Sequence, residues 1–285
     1  ANLYYIDFKM KRTININGKK LDVSSPIVMG ILNVTPDSFS DGGKYIHTDD
    51  AVHKAIKMID EGASIIDIGG YSSRPGAKNI SEDEELDRVI PLVERLSQET
   101  DIPISIDTFR SRVADESIKV GASIINDISA GSDDVNMIPT VARHKVPFIA
   151  MHKQGKPSIM QDNPNYFDVL QEVYSYLEDV IHKCRSAGIE DVIVDPGFGF
   201  GKTTTHNYKL LNHLNEFKSL NVPLLIGVSR KSMIYKTLGI TVQDALNGTT
   251  FLHAFSLNNG ANILRVHDVK EAVECVRLFD QIKKY

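Results

Sequence analysis

Eight short β-rich runs recur along the chain, and stretches with helical spacing lie between them. The runs are PIVMGILNV, ASIIDIGG, IPISIDT, ASIINDIS, VPFIAMH, DVIVDPGFG, VPLLIGV and ANILRVHD. TDDAVHKAIKMIDEGA and SEDEELDRVIPLVERLSQE are two of the helical stretches. Strand and helix alternating eight times in 285 residues predicts an α/β fold, a (β/α)8 TIM barrel. The rival, a doubly wound open sheet, lacks the early GxGxxG turn it would use. Ahead of the first run, TININGKKLDV alternates apolar and polar residues around Asn17-Gly18, which predicts an N-terminal β-hairpin over residues 13–23. No Pro/Ser linker or low-complexity tract divides the chain, so residues 1–285 read as a single domain.

Local signals mark the helix ends. Thr48-Asp49-Asp50 and Ser81-Glu82-Asp83-Glu84 place cap hydroxyls and acids at two expected N-termini. Gly62, Gly121 and Gly188 stand where helices should stop. Gly62-Ala63-Ser64, Gly121-Ala122-Ser123 and Gly260-Ala261-Asn262 look like one connection reused.

Composition excludes several function classes. A formal net charge of −5 argues against a nucleic-acid groove and leaves room only for a local cationic pocket. Cys184 and Cys275 form no metal or CxxC spacing and read as two reduced thiols. No run approaches the ~20 apolar residues of a membrane span. The first residues show no signal-peptide pattern, so a cytoplasmic protein is expected.

Barrel enzymes build their sites at the C-terminal ends of the strands. Here Asn33, Asp107, Asn126, His152, Asp195, Arg265 and His267 each follow or interrupt an apolar run. Strand side chains two apart share a face, so Ser105 points with Asp107, and Arg265 with His267. Taken singly, each could be a polar rim group bonded to a loop. Asp67, between Ile66 and Ile68, reads as such a structural group, holding a neighbouring loop. Seven at one mouth imply a polar, planar ligand or an anion, because buried acids and amides need partners. No zinc spacing and no Ser-His-Asp order is present.

Gly197 to Thr203 imitates a phosphate loop, yet Pro196 stands where GxxxxGK[ST] needs its first glycine. What remains is a glycine-rich turn that lets backbone approach a flat ligand, with Lys202 expected in solvent. Gly227-Val228-Ser229-Arg230-Lys231-Ser232 ends the seventh run and opens a helix. Its free N–H groups, with Arg230, Lys231 and Ser232, would seat a carboxylate or phosphate.

Together these residues resemble the dihydropteroate synthase family. Nine motifs in order carry the resemblance along nearly the whole chain: MGILNVTPDSFSDGG, GGYSSRPGA, ISIDT, ASIINDIS, MHKQG, VDPGFGFGKT, GVSRKSM, LNGTT and ILRVHDV. The resemblance implies a homodimeric barrel in folate biosynthesis, the target of sulfonamide drugs. It would join 6-hydroxymethyl-7,8-dihydropterin pyrophosphate to p-aminobenzoate, releasing pyrophosphate and 7,8-dihydropteroate. By the same resemblance Asp195 would take the pterin amino and N–H pair, and Asn126 would donate and accept on that ring. Lys231 would donate to the carbonyl side, and Asp107 would lie near the ring where positive charge grows. Arg265 would pack on the pterin and help with the anion.

The pyrophosphate would lie by Asn33, Arg265 and His267. Mg2+ would be its companion, with Asn33 a direct ligand and Asp37 a second. Phe39, alone among polar residues in TPDSFSDGG, would wall the p-aminobenzoate pocket with Ser73, Arg74 and Pro75, and Ser232 would take the benzoate carboxylate. Loop closure would keep water from a cationic intermediate formed by dissociative substitution. Asn33, Asp107, Lys231, Arg265 and His267 are thus the catalytic candidates.

The chain departs from the family in two places. Tyr71-Ser72-Ser73-Arg74-Pro75-Gly76 replaces the commoner Glu-Ser-Thr-Arg-Pro-Gly, and no role carries over to Tyr71. MHKQG varies the commoner Met-His-Met pattern, which leaves Lys153 without an assignment and His152 open between pocket wall and structural group. Three other readings stand beside the first. A pterin-barrel methyltransferase serving a corrinoid protein would not need the pyrophosphate clamp. A catalytically silent pterin-binding barrel should have lost clamp residues. A Schiff-base aldolase would rest on Lys231 alone.

Overall fold

The protein, represented by a computed structural model, is described over residues 13–34, 44–72, 79–155 and 163–285. Thr13–Ile16 (β1) and Lys19–Asp22 (β2) pair antiparallel, with Ile16 opposite Lys19. Asn17 and Gly18 both have positive φ, 50° and 83°, the backbone a two-residue hairpin turn demands.

The remaining strands are Ile27–Asn33 (β3), Ile65–Gly69 (β4), Ile104–Asp107 (β5), Ile124–Asp127 (β6), Phe148–Met151 (β7), Val192–Asp195 (β8), Leu225–Ile226 (β9) and Ile263–Val266 (β10). They form an eight-stranded parallel sheet in the order β8-β7-β6-β5-β4-β3-β10-β9. A parallel bridge between Val194 and Leu224, with Val194 N–H donating to Pro223 O at 3.0 Å, joins the last strand to the first. The sheet closes into the expected barrel. β9 keeps only two residues of the VPLLIGV run, since the chain turns at Gly227 toward the next helix.

Helices follow the strands: Lys44–Asp60 (α1), Glu82–Glu99 (α2), Ser111–Lys119 (α3), Met137–His144 (α4), Val169–Ser186 (α5), Thr204–Asn212 (α6), Ser232–Leu238 (α7), Leu246–Asn258 (α8) and Val269–Ile282 (α9). Ser81 caps α2 by accepting from Glu84 N–H at 3.1 Å. Thr48-Asp49-Asp50 is no cap: α1 begins four residues earlier, at Lys44. The glycine signals hold as one repeated joint. After α1, α3, α5 and α8, a glycine at φ 93–124° lets the next residue's N–H reach back five residues: Ala63 to Met58 O, Ala122 to Ser117 O, Ile189 to Cys184 O and Ala261 to Ser256 O. Each joint satisfies helix-end carbonyls that would otherwise be orphaned.

Alternation along the strands sorts the core into two parts. Ile66, Ile68, Ile104, Ile106, Ile125, Val194 and Leu264 pack outward with the helices. Met29, Ile65, Ile124, Ile149, Ile193, Leu225 and Ile263 fill the interior with Ile14, Ile16 and Val23 of the hairpin segment. The hairpin therefore plugs the N-terminal end of the barrel. Asn15 N–H donates to Asp191 Oδ2 at 3.2 Å, and Asn262 Nδ2 to Val23 O at 3.2 Å, which fixes the plug.

Candidate active site

Two residues beyond the apolar plug, the inward positions turn polar. Ile65 gives way to Asp67, Ile124 to Asn126, Ile193 to Asp195 and Ile263 to Arg265, while Leu225 gives way to Gly227. The same alternation that buries the plug delivers these side chains to the C-terminal mouth.

A network spans three of the sequence-predicted residues. Arg265 Nη2 donates to Asp107 Oδ2 at 2.8 Å, and Arg265 Nε to Asp67 Oδ2 at 2.6 Å. Asn126 Nδ2 donates to the same Asp67 oxygen at 3.1 Å. Asp67 therefore holds no loop: fully buried, it ties Asn126 and Arg265 together across the barrel. Its inward alternation with Ile66 and Ile68 was the signal for this role. Burial lowers the tendency of Arg265 to stay charged, but Asp67 and Asp107 more than offset it and raise its pKa. Burial pushes Asp107 up to about 7 against the pull of Arg265. The two edges that Arg265 gives to carboxylates leave its planar face for a ligand.

Asp195 and Lys231 make the opposite wall. Asp195 Oδ1 accepts from Gly197 N–H at 2.8 Å. A Cβ on Gly227 would lie 3.8 Å from Asp195 Oδ2 and 3.9 Å from Lys231 Nζ, so the bare glycine leaves a slot between acid and ammonium. Burial raises the Asp195 pKa, with Lys231 opposing, and burial lowers Lys231 to about 8, with Asp195 opposing. A ligand that donates to the acid and accepts from the lysine would relieve both.

The glycine-rich turn holds Lys231 in place. Lys231 Nζ donates to Phe198 O and lies 4.6 Å from the centroid of the Phe200 ring. Lys202 is not in solvent. Only 2% exposed, its ammonium meets His152 Nδ1 at 2.9 Å, Gly197 O at 2.9 Å, Phe200 O at 3.1 Å and His152 O at 3.3 Å. Gly197 and Gly201, at φ 72° and 65°, press so close that a Cβ would fall 1.9 Å from His152 O and 2.2 Å from Gln154 O. His152 is thus a structural group of this knot, and burial pushes its imidazole down to about 3. Lys153 pairs with Asp133 at 2.6 Å.

The SRK segment divides. Arg230 turns from the mouth to a two-pronged contact with Asp268, both bonds 2.8 Å, so it adds no cation to an anion seat. Lys231 is the residue before α7, and Ser232 is its first. Ser229, missed as a site residue, meets exposed His267 at Nδ1 (2.9 Å) and accepts from its backbone N–H at 3.1 Å. Tyr71, given no role from sequence, donates its phenol O–H to Asp107 Oδ1 at 3.1 Å.

Asn33 ends β3 beside Gly69, where a Cβ would lie 3.3 Å from Asn33 Oδ1 and 3.7 Å from Asp107 Cβ. Its half-buried amide makes no hydrogen bond to another described residue. Among the described residues no group of three or more His, Cys, Asp or Glu could cage a metal. One open amide oxygen fits Mg2+, which is bound by few protein ligands plus phosphate and water. Asp37, Phe39, Ser73, Arg74 and Pro75 lie outside the described residues. Among those described, no helix is long and apolar enough to cross a membrane.

Comparison with known proteins gives the chain its family. The chain matches the family described as pterin binding enzyme over residues 29–267. It is 50% identical over 265 residues to the dihydropteroate synthase of Escherichia coli K12, covering 92% of this chain and 94% of that one. The Yersinia pestis dihydropteroate synthase solved as a sulfonamide drug complex superposes with a TM-score of 0.90 at 44% identity, over 96% of this chain and 100% of that one. The Xanthomonas albilineans enzyme in complex with 7,8-dihydropteroate does so with a TM-score of 0.87 at 37% identity, over 96% and 99%.

Proposed function

This chain belongs to the family of pterin binding enzymes, and on that premise we infer that it is a transferase of folate biosynthesis with dihydropteroate synthase activity. It condenses 6-hydroxymethyl-7,8-dihydropterin pyrophosphate with p-aminobenzoate, giving 7,8-dihydropteroate and pyrophosphate, and it is a sulfonamide target. The observation that carries this reading is the slot over Gly227, flanked by Asp195 Oδ2 and Lys231 Nζ. A pterin edge offers an amino and a ring N–H to such an acid, and a carbonyl to such an ammonium.

In the mechanism, Asp195, Asn126 and Lys231 orient the ring, and the planar face of Arg265 lies against it. The bond between the pterin methylene and the pyrophosphate oxygen breaks first, and its electron pair leaves with the pyrophosphate. Asp107, held beside Arg265, faces the positive charge spreading over the ring. Arg265 and His267 meet the departing anion. Mg2+, held by Asn33 with Asp37 as a second ligand, would neutralise charge on the pyrophosphate when bound. The arylamine nitrogen then attacks the methylene, and the proton it loses passes to the released pyrophosphate or to water. By the family resemblance Phe39, Ser73, Arg74 and Pro75 would receive the arylamine ring, and Ser232 takes its carboxylate. Catalysis is by positioning and electrostatics, with no covalent enzyme intermediate. The similarity to dihydropteroate synthases along nearly the whole chain favours this reading over the methyltransferase, the silent barrel and the aldolase.

The working state in this reading is a homodimer in the cytoplasm. Leu238, Phe251, Leu278 and Ile282 are 55–74% exposed on α7, α8 and α9, helices that pack in series, and such apolar side chains suit a self-complementary surface. The test of the activity is direct. Purified protein supplied with both substrates and Mg2+ should form dihydropteroate and pyrophosphate in equal amounts, and omission of p-aminobenzoate should abolish dihydropteroate. Absence of product from the complete mixture would refute the assignment.

A further inference from the structure

Tyr71 stands two residues beyond β4, at the edge of the mouth, half-buried. Its phenol donates to Asp107 Oδ1 at 3.1 Å, on the opposite oxygen from the one Arg265 holds at 2.8 Å. The ring is itself fixed. It stands edge-on to Phe109, with centroids 5.2 Å apart and planes at 89°. The Arg110 guanidinium lies 4.8 Å from the Phe109 centroid, and Arg110 is in turn tied to buried Glu85 and to Ile80 O at 2.6 Å. A rigid stack thus carries one hydroxyl to one carboxylate oxygen.

We propose that Tyr71 is a positioning residue for the reaction, holding the plane of the Asp107 carboxylate so that it faces the pterin ring as positive charge develops there. The proposal rests on the assignment of Asp107 to that role. A carboxylate held by Arg265 alone can rotate about its Cβ–Cγ bond. A second donor on the far oxygen removes that freedom, and preorganised charge is what lowers a barrier.

Among the described residues, the charged groups that act on Asp107 are Arg265 from β10, Asp67 from β4, Glu85 from α2 and Lys231 from the turn before α7. Tyr71 differs from them in donating without adding charge. A carboxylate in its place would put a further like charge beside Asp67, Glu85 and Asp107. Burial, then the neighbouring acids led by Asp107, push the phenol upward, so it stays a protonated donor.

Tyr71→Phe removes the hydroxyl and keeps the ring that packs on Phe109. Steady-state kinetics on parent and variant, calorimetry with 6-hydroxymethylpterin and thermal melting together test the proposal. We expect kcat to fall on the order of tenfold or more, the scale of a hydrogen bond to a charged acceptor, with pterin affinity unchanged and the variant still folded and melting cooperatively. An unchanged kcat overturns the proposal. So does a loss of pterin affinity parallel to the fall in kcat, which makes Tyr71 a packing residue of the binding site. Failure of the parent itself to form dihydropteroate would instead overturn the assigned reaction, so the two failures read differently.

Discussion

Asp195 concentrates the binding chemistry in one carboxylate. It is buried, it accepts a single backbone N–H, and burial pushes its pKa up. Asp195→Asn replaces an acceptor with a group that presents donors to donors. Pterin affinity should drop by about a hundredfold, some 3 kcal/mol, the cost of an unmatched buried polar pair. Stability should fall as well, because Lys231 loses the buried charge that opposes its desolvation. Titration calorimetry and a melting curve decide both halves; pterin binding equal to the parent's would exclude the contact. Gly227→Val tests the other side of the slot. Gly227 is not among the positive-φ residues, so the substitution strains no backbone, yet its methyls would enter the space between Asp195 and Lys231. Calorimetry should show pterin binding lost while the melting curve stays in place.

At this scale the sequence was legible wherever alternation fixes direction. Ser105 with Asp107, and Asn126 and Asp195, face inward because their neighbours Ile106, Ile125 and Val194 face the helices. It was illegible wherever a long side chain chooses among backbone partners. Lys202 carries its charge to His152 O, and Arg230 to Gln243 O and Asp268, partners distant in sequence that no local pattern encodes.

Among the elements, the loop after β8 couples binding to packing. Lys202 meets four acceptors, and the loop it secures supplies Phe198 O and the Phe200 ring to Lys231. Lys202→Met keeps much of the side chain and removes the donor from all four, of which Gly197 O keeps its bond from Phe200 N–H. Denaturant unfolding should show a loss of about 2–4 kcal/mol, and pterin affinity should weaken with it. Normal pterin affinity in a destabilised variant would separate the loop's packing from its role at the site.

The helix ends were readable because Gly62, Gly121 and Gly188 are backbone requirements. The start of α1 was not. Thr48-Asp49-Asp50 has the composition of a cap, but the helix runs back to Lys44, and propensity at a terminus yields to such context. The brevity of β9 was equally hidden, since seven residues of VPLLIGV suit a full strand.

For the whole molecule, buried histidines tie stability to pH. His253 is 2% exposed on α8, its Nε2 has no partner, and burial lowers it to about 4, with Asp268 opposing. An unfolded histidine titrates near 6.5, so above that pH it is neutral in both states and contributes nothing. Between about 6.5 and 4 the unfolded chain takes the proton first, and acidification erodes stability by up to about 1.4 kcal/mol per pH unit. Asp107 and Asp127, raised to about 7 and about 6, work in the opposite sense, so the difference between parent and His253→Gln isolates the histidine. That difference, from denaturant unfolding at several pH values, should drift in favour of the variant below pH 6.5. A constant difference would mean that His253 titrates normally in the fold.

Phe251→Asp tests the dimer. The parent should have a dimer's mass by light scattering and the variant a monomer's; a monomeric parent would refute the proposed dimer, and an unaltered dimeric mass would place α8 outside its interface. The barrel as a whole was the most legible feature, because eightfold repetition of strand and helix leaves one closed solution.

The central claim is that the polar C-terminal mouth of this barrel grips a flat pterin. Crystals soaked with 6-hydroxymethylpterin pyrophosphate should show the ring in the slot over Gly227, its amino edge on Asp195 and its carbonyl toward Lys231. Density for the ring anywhere else, with that slot filled only by water, would contradict the account.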